Sequence, residues 1–464
     1  MRSSDHAAVT GLGRRAGLAL LLLQPFAATP ARAQGDSLAL HTTLWSWADD
    51  ALLHILDRDA ARGGRLSDRG ILQRFWPDID PDYQINLIRM RFDLEDDYEW
   101  YRRTSGARYW SGSVNTRDEA IGAEFKARAP LGGRWAADVD LTHQSLLELS
   151  RSLVRLAVRR TARSGVYAFV EGAFSFHKPS SDIGVGAGWQ RGDAHVEIGL
   201  TALDAFTNLI YGDLKVQNTP ADTALDYVRQ PYLLRSNVDF PLGHAFRVEG
   251  HLGVMRPATL RAYVQAAPDS GFVQNERYGF AGGLVEWQPS TSVTAGGFAT
   301  LIRAVTDRAP LPNGGAVNDY RLAERTAQVG ARLLVRPAPR WLLEGWLARV
   351  WRPERRVYRS GGAPDVNYED VAWSGQAAVL YRPPRGFTGS VALDLDRRDV
   401  VRGNNEVPSL EGSQARHNNE IRCDFGWRFP NRSLFELGLA FDLDPGIWPR
   451  GWFGGAHGRF LLLF

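Results

Sequence analysis

The chain has 464 residues, 44% apolar, 11% aromatic and 23% charged, with a mean hydropathy of −0.28. These proportions exclude a disordered chain, and a low hydropathy without long apolar runs disfavours a bundle of membrane-spanning helices. The formal charge is +3, and a single cysteine, Cys423, excludes a disulfide framework or a thiolate metal site.

The first 33 residues have the pattern of a secretory leader. Arg14 and Arg15 are followed by an apolar run from Ala16 to Phe26 and by the small-x-small site Ala31-Arg32-Ala33. The run is too short to span a bilayer, so cleavage and export are expected. Without the leader the chain is close to neutral, which removes the case for a nucleic-acid partner. Residues 34–82 form a second segment, with Leu44, Trp45, Trp47, Ala48, Leu52, Ile55 and Leu56 at helical spacing before Gly63-Gly64. One amphipathic helix is predicted there. It either packs on the main domain or acts as a plug or periplasmic cap.

From Tyr83 to the end the period changes to two, and apolar and polar residues alternate in segments of about ten residues. The clearest are Leu153 to Arg159, Val196 to Thr201, Phe246 to Gly253, Phe387 to Asp396, Ile421 to Phe429 and Phe435 to Asp442. Proline-marked turns at Pro241, Pro289, Pro337, Pro383 and Pro430 recur at spacings of 48, 48, 46 and 47 residues. Each interval holds two strands joined at the far side by a longer polar loop, such as Ala304 to Asn318 or Arg352 to Tyr368. Short turns at one end and long loops at the other are the build of a transmembrane β-barrel. A repeat of that length is also close to one propeller blade, but a blade needs four short strands.

Nine hairpins are predicted: 83–130, 133–163, 165–191, 193–241, 244–288, 291–337, 340–383, 386–430 and 432 to the end. They make an all-β antiparallel barrel of 18 strands, or 16 if the weak turn near Ala162 to Gly165 is lost. An aromatic stands beside nearly every short turn: Trp135, Trp189, Trp287, Trp341, Tyr381 and Trp427, joined by Phe240, Phe246, Phe387, Phe429 and Phe435. Rings held at one depth form an interfacial girdle.

The chain ends with Gly458, Phe460, Leu462 and Phe464 at period two. This resembles the C-terminal assembly signal of Gram-negative outer-membrane β-barrels, over about residues 83–464. The resemblance implies an outer-membrane location, insertion by the barrel-assembly machinery, and contact with membrane lipid and lipopolysaccharide. Within that class the chain has weak similarity to porins and to alginate-export and capsule-assembly barrels, the latter through Arg65-Leu66-Ser67-Asp68-Arg69-Gly70-Ile71-Leu72.

Parity sorts the other face to the interior. It receives Arg134, Asp138 and Asp140, then Arg151, Arg155 and Arg159, then His195 and Glu197. Further along it receives Arg235, Asn237, Asp239, Arg247, Glu249 and His251, and late strands add Asp394, Asp396, Arg398, Glu420, Arg422, Asp424, Arg428, Glu436 and Asp442. So many charges of both signs point to water in the lumen, since each unpaired buried ion costs several kcal/mol. The Arg151, Arg155, Arg159 ladder reads either as a track for anions or as braces paired with Asp138, Asp140 or Glu197.

No His-x-x-x-His, His-Glu-x-x-His or Gly-x-Ser-x-Gly pattern occurs, and Asp78, Asp80 and Asp82 lack the glutamate of a calcium loop. A non-enzymatic protein with no cofactor or metal is therefore expected. The leading function is a porin-like channel for small polar solutes with a weak preference for anions. The alternative is a barrel that exports or assembles an acidic polysaccharide, its N-terminal helix gating the lumen or docking a periplasmic partner.

Overall fold

The computed structural model describes residues 109–463, apart from 118–119, 147–148, 176–181, 192–193, 204, 206–222, 244, 265–266, 314–318, 361–365, 405–411, 418, 432 and 444–452. The leader, the expected helix within 34–82, the start of the first hairpin and Phe464 lie outside the described residues. All described residues belong to one compact unit, Ala39–Leu463.

Alternating sequence becomes antiparallel strand throughout. The first seven strands are β1 (Tyr109–Arg117), β2 (Ala120–Gly132), β3 (Trp135–Leu146), β4 (Leu149–Thr161), β5 (Val166–Ser175), β6 (Asp182–Arg191) and β7 (Ala194–Ala202). Next come β8 (Thr223–Arg229), β9 (Tyr232–Leu242), β10 (Phe246–Met255) and β11 (Ala258–Val264). Six long strands follow: β12 (Ala267–Ser290), β13 (Val293–Pro310), β14 (Tyr320–Ala338), β15 (Trp341–Tyr358), β16 (Val366–Tyr381) and β17 (Gly386–Asn404). The last four are β18 (Gly412–His417), β19 (Glu420–Arg428), β20 (Leu434–Asp442) and β21 (Phe453–Leu463).

All 21 segments form one sheet, and β21 returns to pair with β1, Leu463 opposite Tyr109 and Ala456 opposite Thr116, so the sheet closes on itself. Three pairs of segments, β8 with β9, β10 with β11 and β18 with β19, are each one stave interrupted; 21 segments less three interruptions leave 18 staves. Two of the interruptions fall at Pro231 and Pro257, where a residue without an amide hydrogen cannot continue the ladder. The strand before and the strand after are still tied there, by Leu203 N to Pro231 O at 3.1 Å and Arg256 N to Tyr232 O at 2.7 Å.

Eight of the nine expected hairpins are observed, and the first is described only from Tyr109; the weak turn is among them, where Ala162 N donates to Val166 O at 2.6 Å and Gly165 adopts φ +86°. The long loops are shorter than expected. Residues 304–310 and 352–358 are strand, and β12 to β17 run for 16 to 24 residues where about 9–11 cross a membrane. Outside a bilayer an outer face need not be apolar, so the alternation fades there while the ladder continues.

Exposure follows the period-two pattern. In β9 the order runs exposed, buried, exposed, buried, with Leu234 exposed between buried Leu233 and Arg235. The exposed large apolar side chains form the outer face, among them Val170, Val185, Ile198, Leu200, Leu347 and Val391. A closed sheet that turns its aliphatic side outward and its charges inward has the inverse of a soluble core.

Candidate functional site

The inner face of β5, β6, β7, β9 and β10 carries a packed lattice of charges. Its foundation is a glycine track. In β6 the inward positions are Gly184, Gly186 and Gly188, and the neighbouring Glu171, Phe169 and Tyr167 of β5 lean across them. A Cβ at Gly186 would stand 2.2 Å from the Phe169 ring and 2.5 Å from Ile198 O, so no other residue fits without a shift. Gly253 of β10 gives the same room to Phe280 of β12, whose ring would lie 2.1 Å from an added Cβ.

Over this floor the Arg235 guanidinium reaches across the two intervening staves, β7 and β6, and donates through Nη2 to both carboxylate oxygens of Glu171, at 2.7 and 2.6 Å. It also lies 5.8 Å from the Phe169 ring and 4.0 Å from Glu197. Tyr167 donates its hydroxyl to Glu197 Oε2 at 2.7 Å. A hydroxyl has one proton, so at 2.6 Å Tyr167 accepts from His195 Nε2, which fixes the histidine tautomer. On the next staves Arg247 grips Asp239 with two parallel bonds, Nε to Oδ1 at 2.8 Å and Nη2 to Oδ2 at 2.6 Å, and its Nε stands 3.3 Å from Glu249. Arg159 donates to Asp138 at 3.2 Å and lies 4.5 Å from the Tyr167 ring centroid. Glu171, His195, Glu197, Arg235 and Asp239 are buried, Asp239 completely. Paired, hydrogen-bonded ions are the form in which buried charge is tolerated.

Expected positions fall into three groups. Asp138, Arg159, Glu197, Arg235, Asp239, Arg247 and Glu249 join this lattice, and Arg422 and Asp424 stand 3.8 Å apart on β19. Arg134 does not sit on a strand: it lies in the β2–β3 turn and is exposed, because the strand starts one residue later, at Trp135. For the rest the backbone register is described. Asp140 is opposite Arg155, Arg151 opposite Gln144, Asp394 opposite Gln376 and Glu420, Asp396 opposite Ser374, and Arg398 opposite Ala372 and Arg416. At this patch the charges are buried against one another, not spread singly along an open wall. Tyr167 and Glu171 were not singled out by the sequence; the signal that finds them is Gly-x-Gly-x-Gly at period two in the next strand.

The aromatics beside the short turns line up across strands. Phe246 is opposite Trp287, Trp341 opposite Tyr381, and Phe387, Trp427, Phe435 and Phe460 form one continuous row. Trp135, Trp287, Trp341 and Trp427 are exposed, and Trp189 and Tyr381 are half-buried, the latter with its ring 5.1 Å from that of Trp341. Gly458, Phe460 and Leu462 lie on β21, opposite Val114, Gly112 and Trp110 of β1.

A closed antiparallel sheet with an aliphatic exterior and a charged interior defines an outer-membrane β-barrel. No protein-family model matches the chain, and no curated protein does. Among solved structures it is similar to a bacterial polysaccharide outer membrane secretin, at 10% identity over 77% of this chain and 97% of that one, with a TM-score of 0.37. It is similar to a porin at 10% identity over 77% and 99% (TM-score 0.33), and to the outer membrane channel DcaP of Acinetobacter baumannii at 10% over 77% and 96% (TM-score 0.34). At 10% identity no residue role passes from one sequence to the other.

Proposed function

We propose that the protein is a porin-like outer-membrane channel for small polar solutes. The observation that carries this reading is the sorting of charge: the described inner face holds carboxylates, arginines and amides while the outer face over the height of the apolar band is aliphatic. A polar interior inside an apolar shell provides a route for solutes that lipid excludes.

The lattice on β5 to β10 bears on selectivity. Arg159, Arg235 and Arg247 each engage a carboxylate, so they act as braces for the wall and offer little net field to a passing anion. The weak anion preference expected from Arg151, Arg155 and Arg159 then rests on the first two. The test is conductance and reversal potential of the refolded barrel in a planar bilayer under a salt gradient. Stable steps with a reversal potential near zero support the reading. Silence from a barrel shown to be folded by heat-modifiable gel migration refutes it.

Export of an acidic polysaccharide is favoured by a different observation. At the far end of the long staves, the Arg308 guanidinium lies 3.9 Å from the Phe272 ring and 5.0 Å from that of Tyr320, beside Gln274. Aromatic rings with a guanidinium between them suit a sugar carboxylate. Deleting residues 35–82 separates the two readings: loss of a surface polymer supports export, and unchanged surface polymer with unchanged conductance supports diffusion.

A further inference from the structure

The outer face of the long staves carries a row of arginines at one height. On β15, Arg349 stands eight residues from Trp341; on β12, Arg277 stands ten from Trp287; on β17, Arg397 stands ten from Phe387. Arg303 and Arg325 lie directly opposite each other on β13 and β14, with Arg303 also opposite Gly279, two residues from Arg277. On β16 the corresponding residue is Trp373, which is opposite both Arg349 and Arg397. At about 3.3 Å per residue and a tilt of about 40°, eight to ten residues climb about 20–25 Å, close to the height of the apolar band of such a barrel.

Below the row the same outer positions are small or aliphatic: Leu343 and Leu347 on β15, Ala377 and Val379 on β16, Val391 and Leu395 on β17. Above it, arginines have acidic partners. Arg359 lies 2.5 Å from Asp307 and 3.7 Å from Asp319, and Arg321 lies 4.0 Å from Asp307. Within the row, among the described residues, the contacts are aromatic: Arg349 lies 4.9 Å from the Trp373 ring and 5.8 Å from that of Trp351. Like charges directly opposite on neighbouring strands repel, so the Arg303–Arg325 pair asks for an anion, and among the described residues neither arginine has an ion pair with a carboxylate. On the staves that flank the row, the residues eight positions from the girdle are Tyr232, from Phe240, Val254, from Phe246, and Asn419, from Trp427, none of them basic.

We propose that this row binds the phosphate groups of lipids in the distal leaflet, seating one lipid-facing half of the barrel on a belt of anionic headgroups. A guanidinium offers two donors to a phosphate, and the tryptophan between two arginines suits the same interfacial depth. The inference rests on the outer-membrane reading, with the long ends of the staves outside.

The test uses the full-length chain, refolded and first shown to float with phosphatidylcholine vesicles. Native mass spectrometry in detergent then measures retention of diphosphorylated lipid A, of the same lipid without its phosphates, and of inorganic phosphate. The diphosphorylated lipid is expected to bind at least about tenfold more tightly than the dephosphorylated one, given about 1 kcal/mol per basic residue at an anionic surface. The variant R303Q/R325Q/R349Q/R397Q is expected to lose that preference, whereas R160Q/R191Q, at the other end of the staves, keeps it. If the fourfold variant does not fold, R303Q alone decides, with an expected loss of about fivefold. Equal retention of the two lipids, an unchanged fourfold or single variant, an equal loss in R160Q/R191Q, or displacement by equimolar inorganic phosphate would overturn the proposal. Failure to float overturns the membrane reading itself, and flotation without lipid preference overturns the belt alone.

Discussion

The two halves of the barrel solve the same problem with different lengths of strand. In β1 to β7 and β19 to β21 the strands run for 9 to 13 residues, enough to cross the apolar layer and little more. In β12 to β17 they run for 16 to 24, and the outer face changes partway from aliphatic to basic and then to ion-paired. Pairing between strands therefore does not stop where lipid stops. The short half places its polar chemistry inside, over glycines, and the long half places part of its polar chemistry outside, above the bilayer.

The largest effect is expected on the inner side of the short half. Arg235→Met leaves the buried Glu171 carboxylate without its arginine, with only weaker contacts such as that from Thr201, which should cost about 3–5 kcal/mol. Urea unfolding of the barrel in vesicles measures it; a loss below about 1 kcal/mol would mean that the lattice is hydrated rather than packed. Next is the outer face of the long half. Leu347→Arg puts a charge in the middle of the aliphatic band and should cost about 2–4 kcal/mol, whereas Val273→Arg, beyond the arginine row, should cost about 0–1. Equal costs would show that the row does not mark the membrane edge. Gly186→Ala forces Phe169 off the glycine track and should cost about 1–3 kcal/mol by overpacking. A neutral result would show that the Phe169 ring is free to move. Arg359→Ala removes an exposed ion pair with Asp307 and should change stability by less than about 1 kcal/mol.

Much of this architecture was legible because membrane barrels write their fold in parity and punctuation. The prolines at 241, 289, 337, 383 and 430 and the aromatics beside them located the hairpins, and the staves follow. What parity could not show is where a strand ends once lipid no longer demands aliphatic residues, as at Asp307 and Arg355. Nor could it show who pairs with whom. Arg235 and Glu171 are 64 residues apart in sequence and meet across two intervening strands, because Gly184, Gly186 and Gly199 leave the space. An inward charge announces itself by its period, but its partner depends on which neighbours have no side chain.

The closure between β1 and β21 has a consequence for how the molecule is made. Eight aligned pairs join Tyr109–Thr116 to Ala456–Leu463, against seventeen between β12 and β13. Every other hydrogen-bonded neighbour among the described strands is nearer along the chain, so this seam carries the greatest loop-closure entropy. It has as many aligned pairs as the short junctions β5–β6 and β20–β21, eight in each, and Gly112 and Gly458 contribute no side chain to it. The join between β1 and β21 is thus the pairing that costs the chain most to bring together, and the wall is a closed ring only once it has formed.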